Sequence, residues 1–339
     1  MRRRLILGAA GSGVSYGIVK SLREHYREAV FVIAIDSSRR ERSAASLFAD
    51  AFVQVPLARS PEFAGALARL AETYPGSDYL PVHDEEIAAA ARLAFEGKLP
   101  PGLRLIAPPY EVVRLCNDKW HMHHWLQAHG LPTPSTALAS PEAIGAIGLP
   151  AILKPRIGNA SQGVRLVRER SELAGLDPEH WLLQELLDGP VHYADALLSW
   201  RTGAFFCACR VNLSGARDYT TVRGTFRLYD DPALAACVER IARGLPLFGA
   251  FNINAVRSNA LGLCIIDVNP RVGLGTRMSA AVGADIAAAN LADYWGDPTG
   301  GMLKPIVGEY VVAREYVEYI TYASPATEAG RRPAPPASP

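Results

Sequence analysis

Asn252, Asn254, Asp267 and Asn269 lie in the stretch 249–269 at spacings that gather four oxygen-bearing side chains on one patch. With a turn centred on Asn259, Ala260, Leu261 and Gly262, antiparallel pairing sets Asn254 opposite Asp267 and Asn252 opposite Asn269, about 5 Å apart. Alternation puts all four on one face, and sends Phe251, Ile253, Ala255, Ile266 and Val268 to the other. One carboxylate and neighbouring amide oxygens suit magnesium, which takes a few hard ligands and leaves its other positions to water and substrate phosphates. The plainer alternative is that Asn269-Pro270 starts a turn and the asparagines are solvated.

A second chemical element runs from Leu153 to Val167, where Lys154 precedes a loop of Gly158, Asn159, Ala160, Ser161, Gln162 and Gly163 between two strand-like runs. Small residues let backbone N–H groups come close to phosphate oxygens. In a P-loop the lysine ends the loop and a helix follows; here the lysine comes first and a strand follows, which argues against that class. Two antiparallel strands with a glycine tip make a lid able to fold over a triphosphate, with Lys154 reaching in. Further on, Gln184, Glu185, Leu186 and Leu187 end a buried strand that enters a glycine turn, exposing backbone groups to which an adenine edge can pair.

These segments need elements to hold them. From residue 4 to about 107, short apolar runs alternate with helical patterns, which predicts a parallel sheet covered on both faces. A helix is expected at 118–129, begun by Asn117 or Asp118 and stopped by Gly130 and Pro132. Strands follow at 150–168 and 181–187, then a strand-rich stretch at 192–230, a helix at 232–244, the hairpin, and a last strand near 310–314. The proline-rich end, 330–339, lacks apolar content and is expected to be disordered.

Weaker signals have plainer explanations. Gly8, Gly11 and Gly13 after the first strand, with Asp36 ending the second, resemble a dinucleotide fingerprint. His121 and His124 share a helix face without matching carboxylates or cysteines, so an exposed face is expected. Cys207 and Cys209 read as core filling, and Asp84, Glu85 and Glu86 as acids at a helix start, with a grip on a substrate amine as the lesser alternative.

The balance of 35 basic and 34 acidic residues leaves no net field to draw in nucleic acid or an anionic membrane. Five cysteines without Cys-x-x-Cys spacing favour a reducing, cytoplasmic setting. The arginines at 2–4 and the apolar run after them imitate a secretory signal, but Gly11-Ser12-Gly13 cuts the run short.

In order and spacing, Asn117-Asp118-Lys119, Gly130 to Pro134, Lys154-Pro155 with its glycine loop, Gln184-Glu185 with its turn, and Asp267-Val268-Asn269-Pro270-Arg271 resemble the ATP-grasp superfamily. The likeness covers nearly the whole chain, and is strongest to a single unit of the carbamoyl phosphate synthase large subunit and to stand-alone amide ligases of the pyrrolysine-pathway type. It implies an α/β and α+β ATP-grasp fold with a Rossmann-like pre-ATP-grasp domain at 1–110, a lid and central subdomain at 111–187, a C-terminal subdomain at 188–325 and a disordered tail at 326–339. It also implies ATP with Mg2+ or Mn2+. Lys119, Lys154 and Gly158 to Gly163 would hold phosphates, and Gln184 to Leu187 adenine. Asn254, Asp267 and Asn269 take the places of metal ligands, and Arg271 and Arg210 those of arginines near the transferred phosphoryl group.

There are departures from the pattern. Asp267 and Asn254 are shorter than the glutamate and the glutamate or glutamine that the family usually has there, and the family's ribose-binding acid is not evident, leaving His192 or Asp195 in that part. The implied activity is a carboxylate–amine ligase working through an acyl phosphate on small-molecule substrates, with Arg210, Arg217, Arg223 or Arg277 as holders of the substrate carboxylate and a homodimer as a candidate assembly. The alternatives are phosphorylation of carbonate or carbamate, and a nucleotide-binding protein without turnover.

Overall fold

The computed structural model describes residues 2–158, 162–213, 224–313 and 319, so Asn159, Ala160, Ser161, Arg217, Arg223 and the tail from 326 lie outside the described residues. Strands β1 (Arg3–Leu7), β2 (Val30–Asp36), β3 (Ala51–Gln54), β4 (Asp78–Leu80) and β5 (Arg104–Leu105) form a parallel sheet in the order β3-β2-β1-β4-β5. Leu5, Leu7, Val32 and Ala34 pack toward α1 (Gly13–Tyr26), whereas Ile6, Ile33 and Ile35 pack toward α2 (Phe63–Thr73) and α3 (Asp84–Phe95). With both faces covered there is no solvent side, which is why these strands read as unbroken apolar runs.

The glycine turn after β1 serves the chain itself. Ser12 caps α1 by accepting from the Ser15 amide at 3.2 Å, and Asp36 uses both carboxylate oxygens on backbone, taking the Gly11 and Ser38 amides at 2.7 Å each. A Cβ at Gly8 would overlap the Glu86 carboxyl, so that glycine makes room for an acid.

Burial raises the Glu86 carboxyl to about 7, despite the Val82 amide donating to it; the charge of Asp36 adds to the rise. A carboxyl whose folded value exceeds its unfolded one favours the fold at low pH and loses that contribution as pH rises through the folded value. Wild-type stability should therefore fall between about pH 4.5 and 7. Glu86→Gln should remove that loss, gaining roughly 3 kcal/mol over wild type at pH 8 and almost nothing at pH 4.5. Urea midpoints at the two pH values check this, and an equal difference at both contradicts it.

Helices α4 (Tyr110–Asn117) and α5 (Lys119–Ala128) meet at Asp118, whose Oδ1 accepts from the Trp120 and His121 amides at 3.1 and 3.2 Å. The sequence pattern predicts α5 and not α4, a short helix that follows two prolines and buries Val112, Val113 and Cys116. His121 pairs with Asp118 at 3.1 Å and His124 lies edge-on to Trp120, in line with an ordinary helix face.

Strands β6 (Thr136–Leu138), β7 (Ala151–Pro155), β8 (Arg165–Val167) and β9 (Trp181–Glu185) make an antiparallel sheet in the order β6-β9-β7-β8, flanked by α6 (Ile144–Ile147). A third sheet contains β10 (Val191–Leu198), β11 (Phe205–Asn212), β12 (Thr225–Tyr229), β13 (Gly249–Ser258), β14 (Gly262–Asn269) and β15 (Tyr310–Ala313), ordered β14-β13-β10-β11-β12-β15. Its back face, Ala194, Ala196, Phe251, Ile253 and Ala255, buries against α7 (Pro232–Gly244); Cys209 joins this core and Cys207 packs against it, as expected. Helices α8 (Thr276–Ala280) and α9 (Ile286–Trp295) lie between β14 and β15, and α9 packs with Leu197 and Ala250 on the core around α1. No described helix is long and apolar enough to cross a membrane.

Candidate nucleotide and metal site

The hairpin pairs as the sequence predicts, with Asn254 opposite Asp267 and Asn252 opposite Asn269. It does so by another route. Ser258 faces Gly262 across a shorter turn, and a bulge between Asn254 and Ala255 takes up the slack, setting Ile265 opposite Ala255 and leaving Ile266 as the extra residue. The expectation that Ile266 points to the core is therefore corrected: Ile265 fills the core, while Ile266 lines the cleft on the other side.

The four polar side chains share a face but differ in surroundings. Asn252 is buried behind the others and donates to Asp195 Oδ1 at 3.0 Å. Among the described residues Asn254 Oδ1 is buried with no hydrogen-bond partner, a costly state for an acceptor unless a donor or cation arrives. Asn269 donates to Asp267 Oδ2 at 3.3 Å, and its own oxygen accepts from Arg271 at 3.2 Å. The outward pair is thus Asn254 and Asp267, with Asn269 bracing the carboxylate.

That pair opens into a cleft between the four-stranded and six-stranded sheets. Lys119, Lys154, Gly158, Gln162, Gln184, Glu185, Leu186 and Leu187 all line it, beside Asn254 and Asp267. Lys154 stands on β7 with its Nζ 3.0 Å from Gln184 Oε1 and 3.4 Å from the Ile266 carbonyl. Burial pulls its ammonium down to about 8; Asp267 opposes this and Lys119 adds to it. Lys119, first residue of α5, donates to the Gly158 carbonyl at 2.6 Å and lies 4.0 Å from Asp267. Gln184 is fixed from both ends, since its Nε2 donates to Thr136 Oγ1 at 2.9 Å.

Sequence reasoning missed the apolar walls: Ile152, Val164, Val191, Val256 and Ile266 line the cleft. Val191 and Val256 face each other in register, and alternation with Asn254 was the available signal for the second. Gly163, predicted for the phosphate loop, is described but is not among the cleft-lining residues; its φ of 76° suits glycine.

Five expected positions fall elsewhere. His192 follows Val191, so it projects from the opposite face of β10, with its Nδ1 against the Tyr229 hydroxyl; the expectation that it meets ribose is corrected by the pleat. Asp195 is buried in an ion pair with Arg210, whose guanidinium also lies over the Tyr193 ring at 4.7 Å. Arg210 is on the row that runs through Tyr193 and Asn254 to Asp267, yet does not line the nucleotide cleft. Arg271 bonds Asp84 of α3 at 2.7 Å, tying the hairpin to the N-terminal sheet, and Arg277 makes two bonds of 2.9 Å to Glu24.

Comparison with known proteins agrees with this geometry. Residues 116–275 match the family model described as the ATP-grasp domain. An uncharacterized protein, y4rH, of Sinorhizobium fredii is 32% identical over 208 residues, covering 55% of this chain and 42% of that protein. The 3-methyl-D-ornithine–L-lysine ligase of Methanosarcina mazei is 26% identical over 162 residues, covering 48% of this chain and 40% of the ligase. The match thus spans less than half the length of either relative. The L-amino acid ligase of Bacillus licheniformis has the same fold, with a TM-score of 0.67 at 16% identity over 86% of this chain and 73% of its own.

Proposed function

We propose that this chain, whose residues 116–275 match the family model described as the ATP-grasp domain and which shares its fold with an L-amino acid ligase, is an ATP- and magnesium-dependent ligase joining a small-molecule carboxylate to an amine. One observation carries this reading. Lys119, Lys154, the turn after β9 and the Asn254–Asp267 pair come from α5, β7, β9, β13 and β14, and they converge on a single cleft between two sheets. On this reading the lobes run 1–110, 111–187 and 188–325.

The donor set fits a divalent cation that arrives with nucleotide. Among the described residues Asn254 Oδ1 lacks a partner and faces the same cleft as the Asp267 carboxylate, and no group of three or more His, Cys, Asp or Glu side chains there could hold a metal by itself. Magnesium, when bound, would supply charge neutralisation at the phosphate oxygens. The residues of the chain do the rest. Lys119 and Lys154 would offset charge on the phosphates, the apolar walls and the turn Glu185 to Leu187 would hold the base, and Asn269 keeps Asp267 turned toward the cleft.

In the reaction, a substrate carboxylate oxygen bonds to the γ-phosphorus as the bond to the ADP oxygen breaks, giving an acyl phosphate and ADP. The amine nitrogen then bonds to the acyl carbon, phosphate leaves with the bonding pair, and the amine gives up a proton to solvent. No side-chain nucleophile is needed. The relatives' names support the amide product: one joins 3-methyl-D-ornithine to L-lysine and another ligates L-amino acids.

Purified protein with MgATP should release ADP when pooled amino acids are added, and not when only simple carboxylic acids or only simple amines are supplied. Nucleotide binding with no ADP release in any pool would replace this reading with that of a binding protein.

A further inference from the structure

Two cations of the cleft sit on elements with different cores: Lys154 on β7 of the four-stranded sheet, and Lys119 at the start of α5, which packs under the six-stranded sheet. Their separation is set where β7 runs out beside α5. At that junction Arg156 grips Asp118, with Nε 3.0 Å from each carboxylate oxygen and Nη2 2.9 Å from Oδ2. The side chains are only 16% and 12% exposed, and the fork geometry is of the strong, directional kind. The backbone repeats the connection, since Lys119 N donates to the Arg156 carbonyl at 3.1 Å and Asp118 bridges to Ile157.

Asp118 also caps α5, so the carboxylate that anchors Arg156 orients the helix turn on which Lys119 begins. From the other side, Arg156 reaches Glu179 at 3.1 Å, tying in the chain just before β9. Neither Asp118 nor Arg156 lines the cleft.

We propose that Asp118 and Arg156 are positioning residues, a clamp that holds Lys119, Gly158 and Lys154 as one phosphate-contacting unit. The inference rests on the nucleotide reading of the cleft. Its signature is selectivity: loss of the clamp disturbs the phosphate end of the site and leaves the base end alone. A salt bridge serving only the fold would weaken both ends together.

The test compares MgADP with adenosine on the full chain, by calorimetry for the first and ligand-observed NMR titration for the second. Arg156→Ala should weaken MgADP about tenfold and adenosine by no more than about twofold. Asp118→Asn keeps an oxygen for capping α5 while removing the charge that grips Arg156, so it should act in the same direction without unfolding the helix. The double variant should be no worse than the weaker single, because both remove one contact. Arg156→Lys should recover part of the loss. Equal losses for the two ligands, fully additive losses or unchanged MgADP affinity would overturn the clamp. A wild-type chain that bound no MgADP would bring down the nucleotide reading and the clamp with it, whereas normal wild-type binding with indifferent variants would sink the clamp alone.

Discussion

Asp267→Asn should cut magnesium-dependent ADP formation by about 100-fold or more while leaving the thermal midpoint within a few degrees of wild type. Asp267 is the one carboxylate among the hairpin's four polar side chains, and a neutral amide cannot replace its charge toward a hard cation. Its structural partners are few: Asn269 at 3.3 Å and Lys119 at 4.0 Å, with a quarter of the side chain exposed. The substitution keeps shape but removes a charge that favours the buried Lys154 ammonium, so the unchanged thermal midpoint is what makes lost turnover report on chemistry and not on folding. A variant retaining more than about a third of wild-type turnover would remove Asp267 from the metal site.

Lys154→Met should produce a chain that is more stable and nearly inactive. Burial lowers the folded ammonium from 10.5 to about 8, so below pH 8 the fold carries a charge that water would rather keep. The unfolded chain holds more protons between those values, hence wild-type stability should rise as pH goes from about 8 to 10.5. Replacing the lysine by an apolar side chain of similar length should gain roughly 3 kcal/mol at pH 7.

Nucleotide binding runs the opposite way. Phosphates favour the ammonium, so wild-type affinity for MgADP should decline by up to about tenfold per pH unit above 8, with proton uptake on binding. In the Met variant affinity should be at least about 100-fold lower, and the pH dependence should disappear. Calorimetry in buffers of different ionisation enthalpy measures both quantities. A pH-independent wild type, or a Met variant that is destabilised at pH 7, would refute the account.

Much of this site was legible before any coordinates. Opposition of Asn254 and Asp267 follows from strand alternation and a turn of roughly the right length, and Lys154 before a glycine loop marks a strand-borne cation. What escaped has physical causes. Asn254 and Asp267 meet whether the slack lies in the turn or in a bulge, so the sequence pattern could not show that Ile266 faces the cleft. His192 was read from its nearness to the turn after β9, although the pleat turns it to the far face. The Arg271–Asp84 bond joins residues 187 apart, and the Arg156–Asp118 contact 38 apart, where local periodicity says nothing about partners. The short α4 is shaped by its packing more than by propensity, which is the usual way a helix of eight residues arises.

The bulge at Ile266 also bears on how this hairpin can drift over generations. In an unbroken ladder, losing one residue at the tip turns every following side chain over, and the carboxylate would swing into the oily layer beneath. Here a spare residue is already stored next to the acid. Straightening the kink would absorb such a deletion and leave Asp267 across from Asn254, at the expense of the Ile266 wall and its carbonyl contact to Lys154. The tip can therefore vary in length while the face that carries Asn254 and Asp267 stays upright.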